Sequence, residues 1–122
     1  MLKTAFAACA LLCVSIAPLF AETCIASQYG VGDDYHGKRT ASGAVFNTWA
    51  TAPYTVAHRT RPFGSFVTVT NLANGRTIRA RVTDRGPFVA GRCIDLGRAG
   101  AVALGMGGAA PVRVEATARA AP

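Results

Sequence analysis

The sequence predicts a small, closed, all-β barrel with one short helix. Three observations carry this expectation. Apolar and polar residues alternate in several short runs, clusters of Gly, Pro and Asn separate those runs, and a single stretch changes to a helical period. No internal repeat, linker or second domain is visible.

The elements follow in chain order. "TCIASQYG", from Thr23, alternates as a first strand. "GVGDDYHGKRTASGAVFN" is Gly-rich and polar and reads as a long loop. "YTVAHRT" is a short strand, closed by a turn at Pro62–Gly64. "SFVTVTNLANGRTIRARVTD" is a hairpin. Val67 and Val69 share one face, Asn74-Gly75 suits a tight turn, and Ile78, Ala80 and Val82 share the face of the returning strand. Arg79 and Arg81 stand on its opposite face, so the hairpin has an apolar side and a cationic side. "RCIDLG" alternates again. In "DLGRAGAVALGM", Leu96, Ala99, Val102 and Ala103 form a helical stripe, with Gly105 or Gly107 as its end. "APVRVEATA" returns to alternation through Val112 and Val114.

Residues 1–21 read as an export signal. Lys3 precedes the apolar run "AFAACALLCVSIAPLF", and Ala21 is a small residue suited to cleavage near Ala21–Glu22. The run is too short and too interrupted by Pro18 for a membrane span. The residues around Cys9, Cys13 and Cys24 give no convincing lipid-attachment context. The expected organisation is therefore a signal peptide over 1–21, a barrel domain over 22–117 and a frayed tail over 118–122. The barrel would be a monomer without a transmembrane segment.

The 122-residue chain carries 13 Lys and Arg against 6 Asp and Glu. All the acids and all the bases except Lys3 lie beyond the signal. A basic exported domain suits an anionic partner, and export makes nucleic acid the least suitable one. The expected location is the periplasm or the cell wall. Two cysteines remain after the signal, Cys24 and Cys93, an even pair for an oxidising compartment. Further Cys or His at ligand spacing is missing, and nothing in the sequence requires a metal or organic cofactor.

Asp84 ends the cationic strand, beside Arg85 and a Gly86-Pro87 turn. Such a turn holds a side chain at a barrel mouth, where an aspartic acid can serve as a general acid if apolar walls raise its pKa. Phe63 and Phe88 are candidates for those walls. His58 is the second titratable candidate. Asp95 reads either as a groove carboxylate or as the N-cap of the helix that follows. Asp33, Asp34 and His36 read as a solvated loop.

Taken together, "ASQYG", "HGKRTASG", "TVAHRTRPFGSFVTVTNLANGRTIRARVTDRGPFVAGRCIDL" and "AVALGM" resemble the rare lipoprotein A (RlpA)-like proteins, in the same order. The resemblance runs from Cys24 to about Val114. It implies a six-stranded double-psi β-barrel that acts on peptidoglycan. Characterised members are endolytic lytic transglycosylases, which cleave the MurNAc–GlcNAc β-1,4 bond without water and prefer glycan strands lacking stem peptides. The resemblance places catalysis on Asp84, as acid/base, and His58. It runs a sugar-binding cleft past Tyr29, Thr40, Arg85 and Phe88. Expansins, which share the barrel, carry paired aspartates at the separation of Asp84 and Asp95, which brings Asp95 into the groove. Two positions depart from the pattern. Ala44 stands where catalytic members have a glutamate, and Gln28 replaces a tryptophan. These leave a non-catalytic, expansin-like wall-binding module as the alternative reading.

Overall fold

The computed structural model describes residues 21–51 and 53–117. The proposed signal, apart from Ala21, and the tail lie outside these residues. Six strands form a closed barrel: β1 (Ala21–Gln28), β2 (Tyr54–His58), β3 (Phe66–Asn71), β4 (Thr77–Asp84), β5 (Arg92–Leu96) and β6 (Ala109–Thr117). One helix, α1 (Arg98–Ala103), joins β5 to β6. The strand order around the wall is β1-β5-β2-β4-β3-β6, and β6 closes onto β1. β1 runs parallel to β5 and β2 parallel to β4, while the other neighbours are antiparallel. Closure leaves no free sheet edge.

Period-two alternation builds the core. Val67 and Val69 on β3, Ala80 and Val82 on β4, and Val112 and Val114 on β6 are fully buried, with Ile78 nearly so. Val56, Ile94, Leu96 and Ala26 fill the remaining interior. The connection between β3 and β4 is longer than a two-residue turn. Residues 72–76 intervene, closed by the Gly75 amide donating to the Asn71 carbonyl at 2.7 Å. Asn71 is buried, and its Nδ2 donates to the Leu104 carbonyl, so the turn is tied to the end of the helix.

The helix departs from the expected stripe. Gly100 and Ala101 are its buried residues, with Leu104 just after it, while Val102 is exposed. A helix of six residues has room for one contact face, and Gly100 lets it approach Ile78 closely. Gly105 ends it as expected. Its amide donates to Val102 and that of Met106 to Ala101, the paired bonds of a Schellman end, with Gly105 at φ 64°.

Cys24 and Cys93 are joined by a disulfide across β1 and β5, with Cα atoms 5.8 Å apart. The link spans 69 positions of sequence.

Candidate active site

Two β-bulges set the site. In β4, Val82 pairs with Val56 but Asp84 pairs with Ala57, so Thr83 is an extra residue. In β5, Arg92 pairs with Ile25 but Ile94 with Ala26, so Cys93 is extra. Each bulge shifts the alternation by one residue. Asp84 therefore shares the outward face of Ala57 rather than the inward face of Val82. Asp95 pairs with both Ala57 and Ser27. Ser27, Asp95, Ala57 and Asp84 thus form one row across β1, β5, β2 and β4, with the two carboxyls flanking a small alanine. One intervening strand puts their backbones about 10 Å apart.

The row forms the floor of an open cleft of about 410 Å³, a volume suited to a small ligand or part of a polymer. The Arg85–Val89 segment forms one side. Phe88 stands on its rim, 79% exposed. Gly86 adopts φ 126°, a conformation that favours glycine. Tyr29, Tyr35 and Arg39 contribute another side.

Asp84 is half-buried and oriented by its neighbours. Its Oδ1 accepts the amides of Ala41 at 3.0 Å and Arg85 at 2.9 Å. Oδ2 has the Tyr29 hydroxyl at 3.5 Å. Tyr29 is buried, stacked on Phe46 with centroids 4.1 Å apart, and edge-on to Tyr35. Burial, and then the nearby charges of Asp84 and Asp95, push its hydroxyl well above the ordinary tyrosine range. It stays a protonated donor facing the acid.

Asp95 does not cap the helix. Gly97 occupies the cap position without a side-chain bond, and Asp95 faces the cleft, accepting a hydrogen bond from the Ser27 hydroxyl. Burial raises its pKa, outweighing the downward pull of the Ser27 bond and Arg92; Asp33 and Asp84 add repulsion.

The structure does not bring His58 to this cleft. Ala57 points outward, so the next residue points back toward the interior, and His58 is 4% exposed. Its Nδ1 accepts the amides of Thr60 and Arg61, both at 3.1 Å. This pattern assigns the proton to Nε2, which lies 2.6 Å from Glu22 Oε1. Glu22 also meets Arg61 at 3.4 Å. Arg85 does line the cleft, but its guanidinium is engaged by the 58–63 segment. Its Nη1 donates to the carbonyls of His58 at 3.2 Å and Arg61 at 2.9 Å, and its guanidinium covers Phe63 at 3.9 Å. His58 therefore connects to Asp84 through the 58–61 loop and Arg85.

Thr40 also acts from behind. It is buried and absent from the cleft lining, and its hydroxyl binds Ser42 and the Ala44 carbonyl. That closes the loop whose Ala41 amide reaches Asp84.

The family model described as "Lytic transglycolase" matches residues 21–116. The chain belongs to this family: it is an RlpA-like double-psi β-barrel. It is 52% identical over 97 residues to a probable endolytic peptidoglycan transglycosylase RlpA of Nostoc sp., covering 78% of this chain and 25% of that protein. It is 48% identical over 92 residues to the endolytic peptidoglycan transglycosylase RlpA of Pasteurella multocida, covering 70% and 30%. The chain thus spans between a quarter and a third of these two relatives. Among solved structures, the apo expansin of Clavibacter michiganensis superposes with a TM-score of 0.63 at 21% identity, covering 84% of this chain and 52% of that one. That likeness concerns the fold.

The two departures from the RlpA-like pattern have distinct settings. Gln28 lines the cleft, and its side chain is tied to the Gly107 carbonyl at 2.8 Å and to Arg98 at 3.2 Å. Ala44 is exposed and lies off the cleft lining, but its carbonyl accepts the amide and hydroxyl of Thr40. Sequence reasoning had not singled out Ser27, Arg39 and Arg92 for the cleft. Ser27 and Arg92 are each a step from an expected feature, and only the bulge at Cys93 turns Arg92 to the cleft side.

Proposed function

We propose that this domain is an endolytic lytic transglycosylase of peptidoglycan, cleaving the MurNAc–GlcNAc β-1,4 bond of stem-free glycan strands outside the cytoplasmic membrane. The observation that carries this reading is the posture of Asp84. Two amides hold Oδ1, and Oδ2 is left facing an open cleft.

In the proposed reaction, protonated Asp84 gives its Oδ2 proton to the glycosidic oxygen as the C1–O4 bond breaks. The 6-hydroxyl of the same MurNAc attacks C1 and returns its proton to the Asp84 carboxylate. The product is a 1,6-anhydro end, no water is consumed, and the acid is regenerated. One acid/base suffices because the substrate supplies the nucleophile, whereas hydrolysis needs two carboxyl roles. Tyr29 would steady Oδ2 by hydrogen bonding. Asp95, on the same row beyond Ala57, would hydrogen-bond a sugar hydroxyl. Phe88 on the rim would stack on a sugar ring.

Digestion of purified stem-free glycan strands tests this. Anhydro-MurNAc ends should appear with the unaltered protein and vanish with Asp84→Asn, which preserves the side-chain shape. Identical empty product profiles from both proteins would eliminate the enzymatic reading. The second reading, a non-catalytic wall-binding module, is favoured by one observation: the family glutamate position holds Ala44. It predicts wall binding that survives Asp84→Asn with no anhydro product from either protein.

A further inference from the structure

The outward face of β2, β4, β3 and β6 carries features the cleft does not use. Register places Thr55, Arg81, Phe66 and Thr117 in one row, and Arg79, Thr68 and Glu115 in the next. A row across four strands is about 14 Å long. None of these residues lines the cleft. The guanidinium carbons of Arg79 and Arg81 lie 3.9 and 5.1 Å from the Phe66 ring centroid. Phe66 is half-buried and holds both groups against the sheet.

Neither arginine has an acidic partner among the described residues. Glu115, the acid on this face, is paired with Arg113 at 2.8 Å. Arg81 Nε is buried without a hydrogen-bond partner among the described residues. Stacking on an aromatic ring fixes a guanidinium while leaving its terminal Nη–H groups free to contact a carboxylate. The surrounding Thr55, Thr68 and Thr117 hydroxyls supply a polar rather than apolar surround.

We propose that this face is a second, non-catalytic binding site for carboxylates of the wall polymer. Arg79 and Arg81 are its anion-binding pair and Phe66 is their support. Arg81 lies three residues before Asp84 on the same strand, about 10 Å of backbone. The Ser42 amide donates to the carbonyl of Thr83, which lies between them in sequence, at 3.2 Å. Engagement of the face would keep the domain on an insoluble, carboxylate-bearing lattice while the cleft takes a single strand. The polymer's identity rests on the wall-acting reading of the cleft.

Sedimentation with sacculi freed of phosphate polymers tests the proposal, using the unaltered chain, Arg79→Gln/Arg81→Gln and Arg79→Lys/Arg81→Lys. At low salt the Gln pair should bind on the order of tenfold more weakly. The Lys pair should recover part of that loss. Amidation of the sacculus carboxyls should erase the difference between unaltered protein and Gln pair. Cleavage of short, soluble glycan strands should be unchanged in both variants, and their thermal midpoints should confirm folding. If the Gln pair does not fold, the Lys pair and the amidated sacculi carry the test. Equal binding of variant and unaltered protein, or undiminished binding to amidated sacculi, would overturn the proposal. Absence of cleavage by the unaltered chain would count against the cleft reading alone, because sacculus binding is read separately.

Discussion

Replacing His58 by alanine separates a chemical role for the imidazole from a positioning one. The side chain makes three polar contacts: two amides on Nδ1, each at 3.1 Å, and Glu22 at 2.6 Å on Nε2. A typical hydrogen bond contributes about 1 kcal/mol net. Thr60 is exposed, so its freed amide can turn to water, and Glu22 is 37% exposed, so its bond is screened. The expected loss is about 2–3 kcal/mol, or roughly 10–20 °C in melting temperature for a domain of about 100 residues. The same change loosens the 58–61 carbonyls that hold Arg85, and with them the turn that aims Asp84. A displacement near 1 Å at a reacting group costs on the order of 100-fold in rate. Thermal unfolding and glycan-cleavage kinetics on the same samples should therefore show stability and kcat falling together. His58→Asn places an acceptor near the Nδ1 position and should restore part of both. Arg85→Met should mimic His58→Ala, and the double variant should fall short of the sum of the two. A His58→Ala protein with unchanged melting temperature but no cleavage would refute the positioning argument. So would a His58→Asn variant as impaired as alanine in activity alone.

Three further outcomes follow from particular contacts. The pKa of Asp95 is raised by burial, so the unfolded chain ionises it first. Its favourable contribution is complete below about pH 4 and is lost as pH rises through the folded-state value. Asp95→Asn should remove this fall and raise the unfolding midpoint at neutral pH, as measured by melting across a pH series. An unchanged pH profile would contradict the burial argument. Reduction of Cys24–Cys93 should lower stability by about 4 kcal/mol, the chain-entropy value for a closure of this length, and chemical denaturation with and without reductant measures it. In Gly30→Ala, the new Cβ would meet Phe46 and Thr48 at 2.6 Å from a backbone at φ 98°. A loss of about 2 kcal/mol or more is expected, together with weaker cleavage as the Tyr29–Phe46 stack shifts. A melting temperature equal to that of the unaltered protein would show that this corner yields freely.

Much of the barrel wall was legible because its inward positions repeat with period two. Val67 and Val69, Ile78 to Val82, and Val112 and Val114 need no long-range information to be assigned a face. The end of the helix was legible for a similarly local reason: Gly105 can adopt the left-handed conformation that a Schellman end requires. The helix face was not, because a six-residue helix is governed by where Gly100 lets it touch Ile78. Arg85 was legible as a charge beside an acid, but its direction depends on carbonyls 24 and 27 residues earlier in the chain. His58 poses the same difficulty. Its motif places it near the acid in sequence pattern, while the alternation of β2 puts it on the other side of the wall.

The cleft depends on two residues that no periodic reading singles out. Counting from buried Val82, strict alternation would send Asp84 into the barrel, where a carboxyl would meet Val56 and Val67 rather than solvent. Counting back from Ile94, it would send Arg92 inward as well. Thr83 and Cys93 interrupt that count, and each stands in a strand that neighbours β2. The bulge at Thr83 turns Asp84 outward beside Ala57, and the bulge at Cys93 does the same for Arg92 beside Ile25. Asp95 then pairs from the other side of Ala57 without needing a shift. The disulfide uses the extra residue of β5 itself, so the crosslink to β1 is anchored at the position that reverses the strand's alternation. Two local irregularities thus convert an apolar wall into a floor with two acids, while the buried residues on its inner side keep their spacing.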